Sequence, residues 1–294
     1  MTSPAPHERV GETPAEGSVV IGVDFTSAPS AKKPITVAIG RCSAEGRGRG
    51  YRLEEILLLE SLGDFERFLV SGGSWIGGFD LPFGQPRPLI EHEGWPTDWP
   101  RFVRFFCGQP RDRLRAAFRR WCDARPPGDK FAWRRADKPA GSSPAMRWAN
   151  PPVAWMMHAG IGRMLDAGLA FPAHGRRGAA GKPPRTALES YPGFTARKVC
   201  RRSYKSDVAS NQTPDRMDNR RAIVAALVAG AAGLEPTLAI SPAWRRRLVA
   251  DGSGDLLDAV ICGLQAAHAA ALPRYGLPRV LDQLEGWIAS VPVG

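Results

Sequence analysis

The sequence lacks long apolar runs. None approaches the roughly 20 residues that a membrane-spanning helix needs, so we expect no membrane partner. The first 17 residues contain no apolar segment of the kind that a secretory signal requires. We interpret residues 1–17 as a disordered leader and predict a cytoplasmic protein.

Cysteine and histidine are few, and neither shows the spacing of a disulfide or metal motif. The five cysteines are scattered without a Cys-x-x-Cys pair, which argues against a zinc finger and a disulfide framework. Reduced thiols in the cytosol are the simplest interpretation. None of the five histidines lies at metal-ligand spacing. A Gly-x-Ser-x-Gly motif is absent too, so a serine hydrolase triad is unsupported.

Acidic residues are outnumbered by basic ones, and the net charge is +11. Such a charge favours a polyanionic partner such as DNA or RNA. A second interpretation stays open, because most of the basic residues are arginine and the chain is also rich in alanine, glycine and proline. All four residue types have GC-rich codons, so codon bias alone could give much of the charge.

Short apolar runs, separated by Gly, Pro and Ser, are abundant. The first, at residues 18–25, reads SVVIGVDF and is typical of a strand buried on both faces of a sheet. Further strands are predicted at 34–41, 51–60, 74–80 and 186–191. The glycine-rich joint at 42–50 predicts a flexible hairpin, so the first three strands should form an antiparallel meander.

Helical periodicity occupies much of the remaining chain. It predicts helices at 62–70, 111–123, 152–168, 215–229, 243–250, 254–272 and 278–290. A helix between two strands calls for a right-handed crossover, which sets strand 74–80 parallel to an earlier strand. We predict a single α/β domain over residues 18–294, and we interpret the basic stretch at about 87–150 as an insertion.

Four aspartates mark a candidate catalytic and metal site. Asp24 and Asp80 each end a predicted buried strand, where a carboxylate is costly unless a cation or donors meet it. Asp255 and Asp258 begin a predicted helix, and their spacing of three places both on one helical face. If the two strands are adjacent, the acids meet at one edge of the sheet. Glu189 is a fifth candidate, as a metal ligand or as support for one.

Clustered carboxylates supply the hard oxygen ligands that Mg²⁺ and Mn²⁺ prefer, and two such ions serve phosphodiester hydrolysis. One ion activates water and the other stabilises the leaving oxygen. Each acid also has a purely structural interpretation. Asp255 and Asp258 suit a helix N-terminus, and Asp24 and Asp80 can accept N–H groups of turns. The combination, more than any single acid, predicts the metal site.

Basic and aromatic residues alternate at 130–135, which reads KFAWRR. Lys130, Trp133, Arg134 and Arg135 are candidates for binding nucleic acid, because cations hold phosphates and aromatic rings stack on bases. A solvated face over a buried tryptophan would give the same pattern, so both interpretations stay open.

Four strings, IGVDFTSAPS, GGFDLPFG, ALESYP and GDLLDAVICGLQAA, resemble the marks of a bacterial domain-of-unknown-function family of predicted RNase H-like nucleases. This resemblance implies a three-layer α/β/α fold with a mixed five-stranded sheet. The order of Asp24, Asp80 and the Asp255–Asp258 pair also resembles the ligand order of RuvC-type junction resolvases. In those enzymes the acids lie on the first strand, the fourth strand and the closing helix. The stretch at 87–150 departs from a minimal RNase H core.

Together these features favour a two-metal nuclease that acts on DNA or RNA, with Mg²⁺ or Mn²⁺ as its cofactor. Two alternatives stay open. An ATP-dependent kinase of the actin and sugar-kinase class shares the same core, and residues 24–27 with Lys32 and Lys33 resemble its first phosphate loop. A convincing second phosphate loop is lacking. A non-catalytic nucleic-acid-binding module would keep the fold without turnover.

Overall fold

The structure is a computed structural model that describes residues 17–43 and 50–292. All but the last residue of the predicted leader at 1–17, and most of the predicted hairpin loop, fall on residues 1–16 and 44–49, which lie outside the described residues. The strands within the described ranges are β1 (Val19–Asp24), β2 (Ile35–Ser43), β3 (Gly50–Leu59), β4 (Trp75–Asp80), β5 (Arg185–Glu189) and β6 (Thr237–Ala239). The helices within them are α1 (Leu62–Val70), α2 (Arg87–His92), α3 (Trp99–Gly108), α4 (Arg111–Asp123), α5 (Asp137–Ala140), α6 (Val153–Asp166), α7 (Pro192–Val199), α8 (Pro214–Ala229), α9 (Pro242–Ala250) and α10 (Asp255–Ala270).

All six strands join one mixed sheet in the order β5-β4-β1-β2-β3-β6. Strand β2 runs antiparallel to β1 and β3, which confirms the predicted meander. Strand β4 runs parallel to β1, as the intervening helix requires. Strands β5 and β6 pair in parallel with β4 and β3. Every strand except β2 therefore points the same way.

The expectation of five strands is wrong by one. Strand β6 has only three residues and lies in a part of the chain for which the sequence predicts helices. It pairs with residues 50–52 at the start of β3. Three residues are too few to show a periodicity, so tertiary pairing alone defines this strand.

Most of the predicted helices are present. Helices α1 and α4 begin and end at the predicted residues. Helices α6 and α10 differ from the predicted ranges by one or two residues at each end, and α8 and α9 begin one residue earlier than predicted. Helices α2, α3, α5 and α7 are additional to those that the sequence predicts. No helix in the described ranges is long and apolar enough to cross a membrane.

Residues 278–290 form turns, so the helix predicted there is wrong. The Asp282 carboxylate accepts the backbone N–H groups of Leu284 and Glu285, in the manner of an Asx turn. Gly286 and Ser290 have φ angles of 75° and 67°, which a right-handed helix does not contain. The apolar spacing in this stretch reflects the burial of an irregular segment.

Side chains of the sheet alternate between two apolar clusters. On β1, Ile21 and Val23 belong to a cluster shared with α1, α3, α4 and α6, whereas Val20 belongs to a cluster shared with α8 and α10. Helices therefore cover both faces of the sheet. The stretch at 87–150 contributes Phe102 and Phe118 to the first cluster, so its helices share a core with the sheet.

Helix α10 lies directly against β1 and β4 because glycine occupies the contact positions. Gly22 and Gly78 are partners in the parallel register. A Cβ atom on Gly22 would lie 1.9 Å from the carbonyl oxygen of Ala259, and one on Gly78 would lie 2.2 Å from that of Cys262. Any side chain at either position would push the helix off the sheet. This close contact fixes where the first turn of α10 meets the ends of the strands.

Candidate functional site

Asp24 and Asp80 end the adjacent strands β1 and β4 and are partners in the parallel register. Each follows one of the contact glycines, Gly22 and Gly78, by two positions, so both carboxylates lie on the face that α10 covers. The predicted adjacency of the two strands is confirmed. Neither carboxylate accepts a hydrogen bond from any residue that the structure describes.

Helix α10 supplies Asp258, which is fully buried. Its carboxylate accepts a hydrogen bond from the Tyr204 hydroxyl at 2.5 Å and forms an ion pair with the Lys205 ammonium. Tyr204 and Lys205 come from the irregular segment between α7 and α8. This segment approaches α10 at Gly254, whose φ is 78° and where a Cβ atom would lie 2.7 Å from Cβ of Lys205. Glycine at this position therefore allows Lys205 to reach Asp258.

Asp255 lies one helical turn before Asp258 and has a different lysine partner. The Lys33 ammonium lies 3.2 Å from Oδ1 of Asp255 and also pairs with Asp207. Lys33 comes from the loop after β1, so this ion pair joins the loop to the start of α10. Two of the four aspartates thus have lysine partners, whereas Asp24 and Asp80 have no ion pair with any described residue.

The four aspartates interact electrostatically. Burial raises the pKa of Asp24 well above its usual value, and the charges of Asp258, Asp255 and Asp80 raise it further, while Lys205 lowers it. Burial also raises the pKa of Asp80 to about 7, again against the effect of Lys205. The pKa of Asp258 is raised by burial and lowered in part by Lys205. Carboxylates distant in the chain therefore lie close enough to repel one another.

A cavity of about 450 Å³ opens at this edge of the sheet. Asp24, Asp80 and Asp255 line it together with Thr26 and Ser27 from the loop after β1. Asp24 and Asp80 are partly exposed to solvent there despite the surrounding protein. We call the four aspartates together with Lys205 the acidic site.

Glu189 is buried and already has donors for both oxygens. The Arg134 guanidinium donates to Oε1 at 2.6 Å and to Oε2 at 2.8 Å, and the Phe83 N–H donates to Oε2 at 2.9 Å. Burial raises the pKa of Glu189, and Arg134 lowers it in part. The carboxylate is therefore held in an internal ion pair, and we leave Glu189 out of the acidic site.

The four candidates for binding nucleic acid at 130–135 have separate environments. Arg134 is 3% exposed, and its guanidinium also pairs with Asp137 at 2.8 Å, so it has no free donor group to offer a phosphate. Lys130 and Arg135 are exposed, and Trp133 is half-buried. Of these four residues, Arg134 alone lines the cavity at the acidic site. The structure thus does not bring this group together as a binding surface.

Sequence reasoning missed Tyr204 and Lys205, the two side chains that hold Asp258. They lie in the string CRRSYKSD, which has no helical or strand periodicity. A lysine two positions before an aspartate in a basic segment is an ordinary surface pattern. Only the fold shows that Lys205 points inwards.

Within the described residues, no group of three or more His, Cys, Asp or Glu side chains stands in a position to hold a metal ion. The positive charge next to Asp258 is the Lys205 ammonium. The acidic site therefore contains four carboxylates next to the Lys205 ammonium. Two of them, Asp24 and Asp80, have no hydrogen-bond or ion-pair partner among the described residues.

The chain matches no known protein-family model, and no curated protein or solved structure matches it either. Its function must therefore be argued from the acidic site itself.

Proposed function

We propose that this protein is a metal-dependent nuclease of the RNase H-like class that hydrolyses phosphodiester bonds of DNA or RNA. One observation carries the proposal. Asp24 and Asp80 are register partners at the ends of two parallel strands, and α10 adds the buried Asp258 to the same cluster. Three interacting carboxylates, one of them fully buried, are costly to fold, and groups perturbed in this way cluster at functional sites.

The sheet supports the class. Its five principal strands include one reversed strand, β2, and the acids lie on the first strand, the fourth strand and the last helix. This is the distribution that the resemblance to RNase H-like and RuvC-type enzymes implies. Strand β6 and the helices of 87–150 are additions around that arrangement.

Carboxylate oxygens are the ligands that Mg²⁺ and Mn²⁺ prefer, which supports one of these ions as the proposed cofactor. Asp24, Asp80 and Asp258 would hold the ions, with Asp255 close by, and bound ions would activate water and neutralise charge on the leaving oxygen. Burial and the neighbouring aspartates raise the pKa of Asp24 and Asp80 against the opposing effect of Lys205, and a bound divalent ion would lower both. Because Lys205 occupies part of the cluster, we expect its ammonium to leave Asp258 when a divalent ion binds.

The protein's own groups have separate tasks in this proposal. Tyr204 donates to Asp258 and fixes the orientation of its carboxylate. The Lys33–Asp255 ion pair anchors the loop that contributes Thr26 and Ser27 to the cavity wall. The glycine contacts with α10 keep the carboxylates together against their mutual repulsion.

The test is cleavage of branched, duplex and single-stranded DNA and RNA with Mg²⁺ or Mn²⁺. We expect Asp80→Asn to reduce the rate by about 100-fold or more, as the loss of a metal ligand or its support does. The matched control is Asp123→Asn, which removes an exposed carboxylate at the end of α4 and should leave the rate unchanged.

Equal cleavage by the wild-type protein and Asp80→Asn would refute the assignment of this site. Absence of cleavage together with micromolar binding of ATP–Mg²⁺, measured by calorimetry, would favour the kinase instead. Binding of nucleic acid that survives Asp80→Asn without any turnover would favour the non-catalytic module.

A further inference from the structure

A second cavity, of about 350 Å³, adjoins the acidic site and has the opposite charge. Its wall contains three arginines and a lysine in one short stretch of chain, with an aromatic ring beside them. We call this surface the basic groove, defined by Tyr191, Arg197, Arg201, Arg202 and Lys205. It lies outside the stretch at 130–135, from which sequence reasoning expected nucleic-acid binding.

The basic groove leads into the acidic site. Asp80 and Asp258 line its inner end, and Asp80, Tyr191 and Lys205 also line the larger cavity. The two cavities therefore meet at Asp80 and Lys205. A phosphate group at this junction would face the acids on one side. The nucleic-acid strand that carries it would continue past the arginines on the other side.

Two of the arginines are available to a ligand. The side chains of Arg201 and Arg202 are exposed, and neither guanidinium forms a hydrogen bond, ion pair or ring contact with any residue that the structure describes. Lys205 pairs with Asp258, one of the two acids that line the groove, and the four basic residues of the groove outnumber these acids. Two exposed positive charges on adjacent residues favour the binding of an anion.

The third arginine is rigidly held. Arg197 donates to the Tyr191 hydroxyl at 3.1 Å and to the Ala140 carbonyl at 2.7 Å, and its guanidinium lies 5.1 Å from the centre of the Tyr191 ring. The groove thus combines one fixed cation, an aromatic ring and two free cations. Surfaces that follow a single nucleic-acid strand combine the same elements.

We propose that the basic groove binds the phosphate backbone of a single nucleic-acid strand and directs it to the acidic site. This inference rests on the proposed nuclease function and names the form of its substrate. The groove has a volume of about 350 Å³, within the range of small-ligand pockets of about 300–1,000 Å³, which is enough for a short piece of one strand. The groove is basic, and the cavity with Asp24 is acidic, so the strand and the metal ions would approach from different sides.

The experiment measures binding of a fluorescent single-stranded oligonucleotide by anisotropy, in EDTA so that no turnover occurs, over a series of salt concentrations. We expect Arg201→Ala/Arg202→Ala to bind on the order of tenfold more weakly at moderate salt. Loss of two phosphate contacts should also make the slope of log K against log salt concentration shallower by about 1.4.

The matched control is Arg245→Ala/Arg246→Ala. It removes an adjacent pair of exposed arginines on α9 and lowers the net charge by the same amount. If both double variants change the affinity and the slope equally, the effect is one of net charge and the inference is overturned. It is also overturned if the wild-type protein binds no oligonucleotide, or binds a hairpin duplex more tightly than the single strand.

Competition identifies the source of the phosphate. Inorganic phosphate should displace the oligonucleotide far less effectively than an unlabelled oligonucleotide does, because only a strand spans several cations. Equal displacement would mean a free-phosphate site and would overturn the inference. Loss of binding in Arg201→Ala/Arg202→Ala without any cleavage by the wild-type protein would uphold the groove while refuting the nuclease.

Discussion

The Lys205 ammonium forms an ion pair with the Asp258 carboxylate, and this pair joins an irregular segment to the first turn of α10. Asp258 is fully buried, whereas the Lys205 side chain is 41% exposed. The lysine is thus a cation that the protein supplies to its own acidic site. If the proposed function holds, a divalent ion at this site would compete with it.

Lys205→Ala should show separately how the ammonium affects stability and how it affects the binding of a divalent ion. Loss of the ammonium leaves Asp258 without a cation, so we expect the metal-free protein to lose about 1–3 kcal/mol of stability, less than for a fully buried pair because Lys205 is partly solvated. The same variant should bind Mn²⁺ more tightly, because no competing cation remains. Urea unfolding in EDTA and calorimetry with Mn²⁺ measure the two effects.

Lys182→Ala removes an exposed lysine elsewhere and serves as the control for net charge. Mn²⁺ binding that is unchanged or weaker in Lys205→Ala, alongside clear binding by the wild-type protein, would rule out competition. It would leave the metal site itself in place.

Gly22→Ala should damage both the fold and the activity. The new Cβ atom would lie 1.9 Å from the Ala259 carbonyl oxygen, so α10 must move and Asp258 with it. We expect a loss of roughly 3 kcal/mol or more in the free energy of unfolding, in the upper range for overpacking. Cleavage should fall even at temperatures at which the variant is folded.

Gly73→Ala is the matched control, because a Cβ atom at Gly73 would meet nothing within 4 Å. Circular dichroism and cleavage assays on both variants give the comparison. Wild-type stability in Gly22→Ala would show that α10 is not in close contact with β1 at Gly22.

Glu189→Gln tests whether this residue is structural. The Arg134 guanidinium would keep Asp137 but lose its second carboxylate, so we expect a loss of about 3 kcal/mol of stability. Activity per folded molecule should stay close to that of the wild-type protein. The control is Glu55→Gln, an exposed glutamate on β3.

The opposite pattern would make Glu189 a metal ligand. In that case Glu189→Gln would keep its stability and lose Mn²⁺ binding in the same titration. Thermal unfolding and calorimetry on one preparation distinguish the two outcomes.

His174 should give the protein an acid-sensitive stability. The ring is buried, its Nδ1–H donates to the Gln283 carbonyl at 2.6 Å, and burial lowers its pKa to about 3. The unfolded chain takes up this proton below about pH 6.5, whereas the folded chain does not. Stability is therefore lost as the pH falls from 6.5 towards 3, by up to about 1.4 kcal/mol per unit.

His174→Gln should reduce this loss, by about 2 kcal/mol between pH 7 and pH 5. Urea unfolding at the two pH values gives the figure, and taking the difference from wild type removes the contributions of other groups. His92→Gln, at an exposed position, should behave as wild type does. An identical pH dependence in the His174 variant would contradict the assigned cause.

The sequence by itself determined most of the local elements and the placement of the acids along the chain. Alternating or continuous apolar residues are enough to define strands such as β1, and the 3.6-residue period defines α1 and α10. Asp24, Asp80 and Asp258 end or begin these elements, so their convergence follows once the strands are adjacent. The role of Gly22 and Gly78, two positions before Asp24 and Asp80, is visible only in the structure, because their contacts with α10 join distant segments.

Tertiary structure decided what surrounds those acids. Lys205 and Asp258 are 53 residues apart, and Arg134 and Glu189 are 55 apart, so no local pattern relates them. Arginine and lysine look alike in sequence whether they are buried partners or free surface cations. Their position depends on which side chain the fold places within reach of a carboxylate, and that is a property of packing between distant segments.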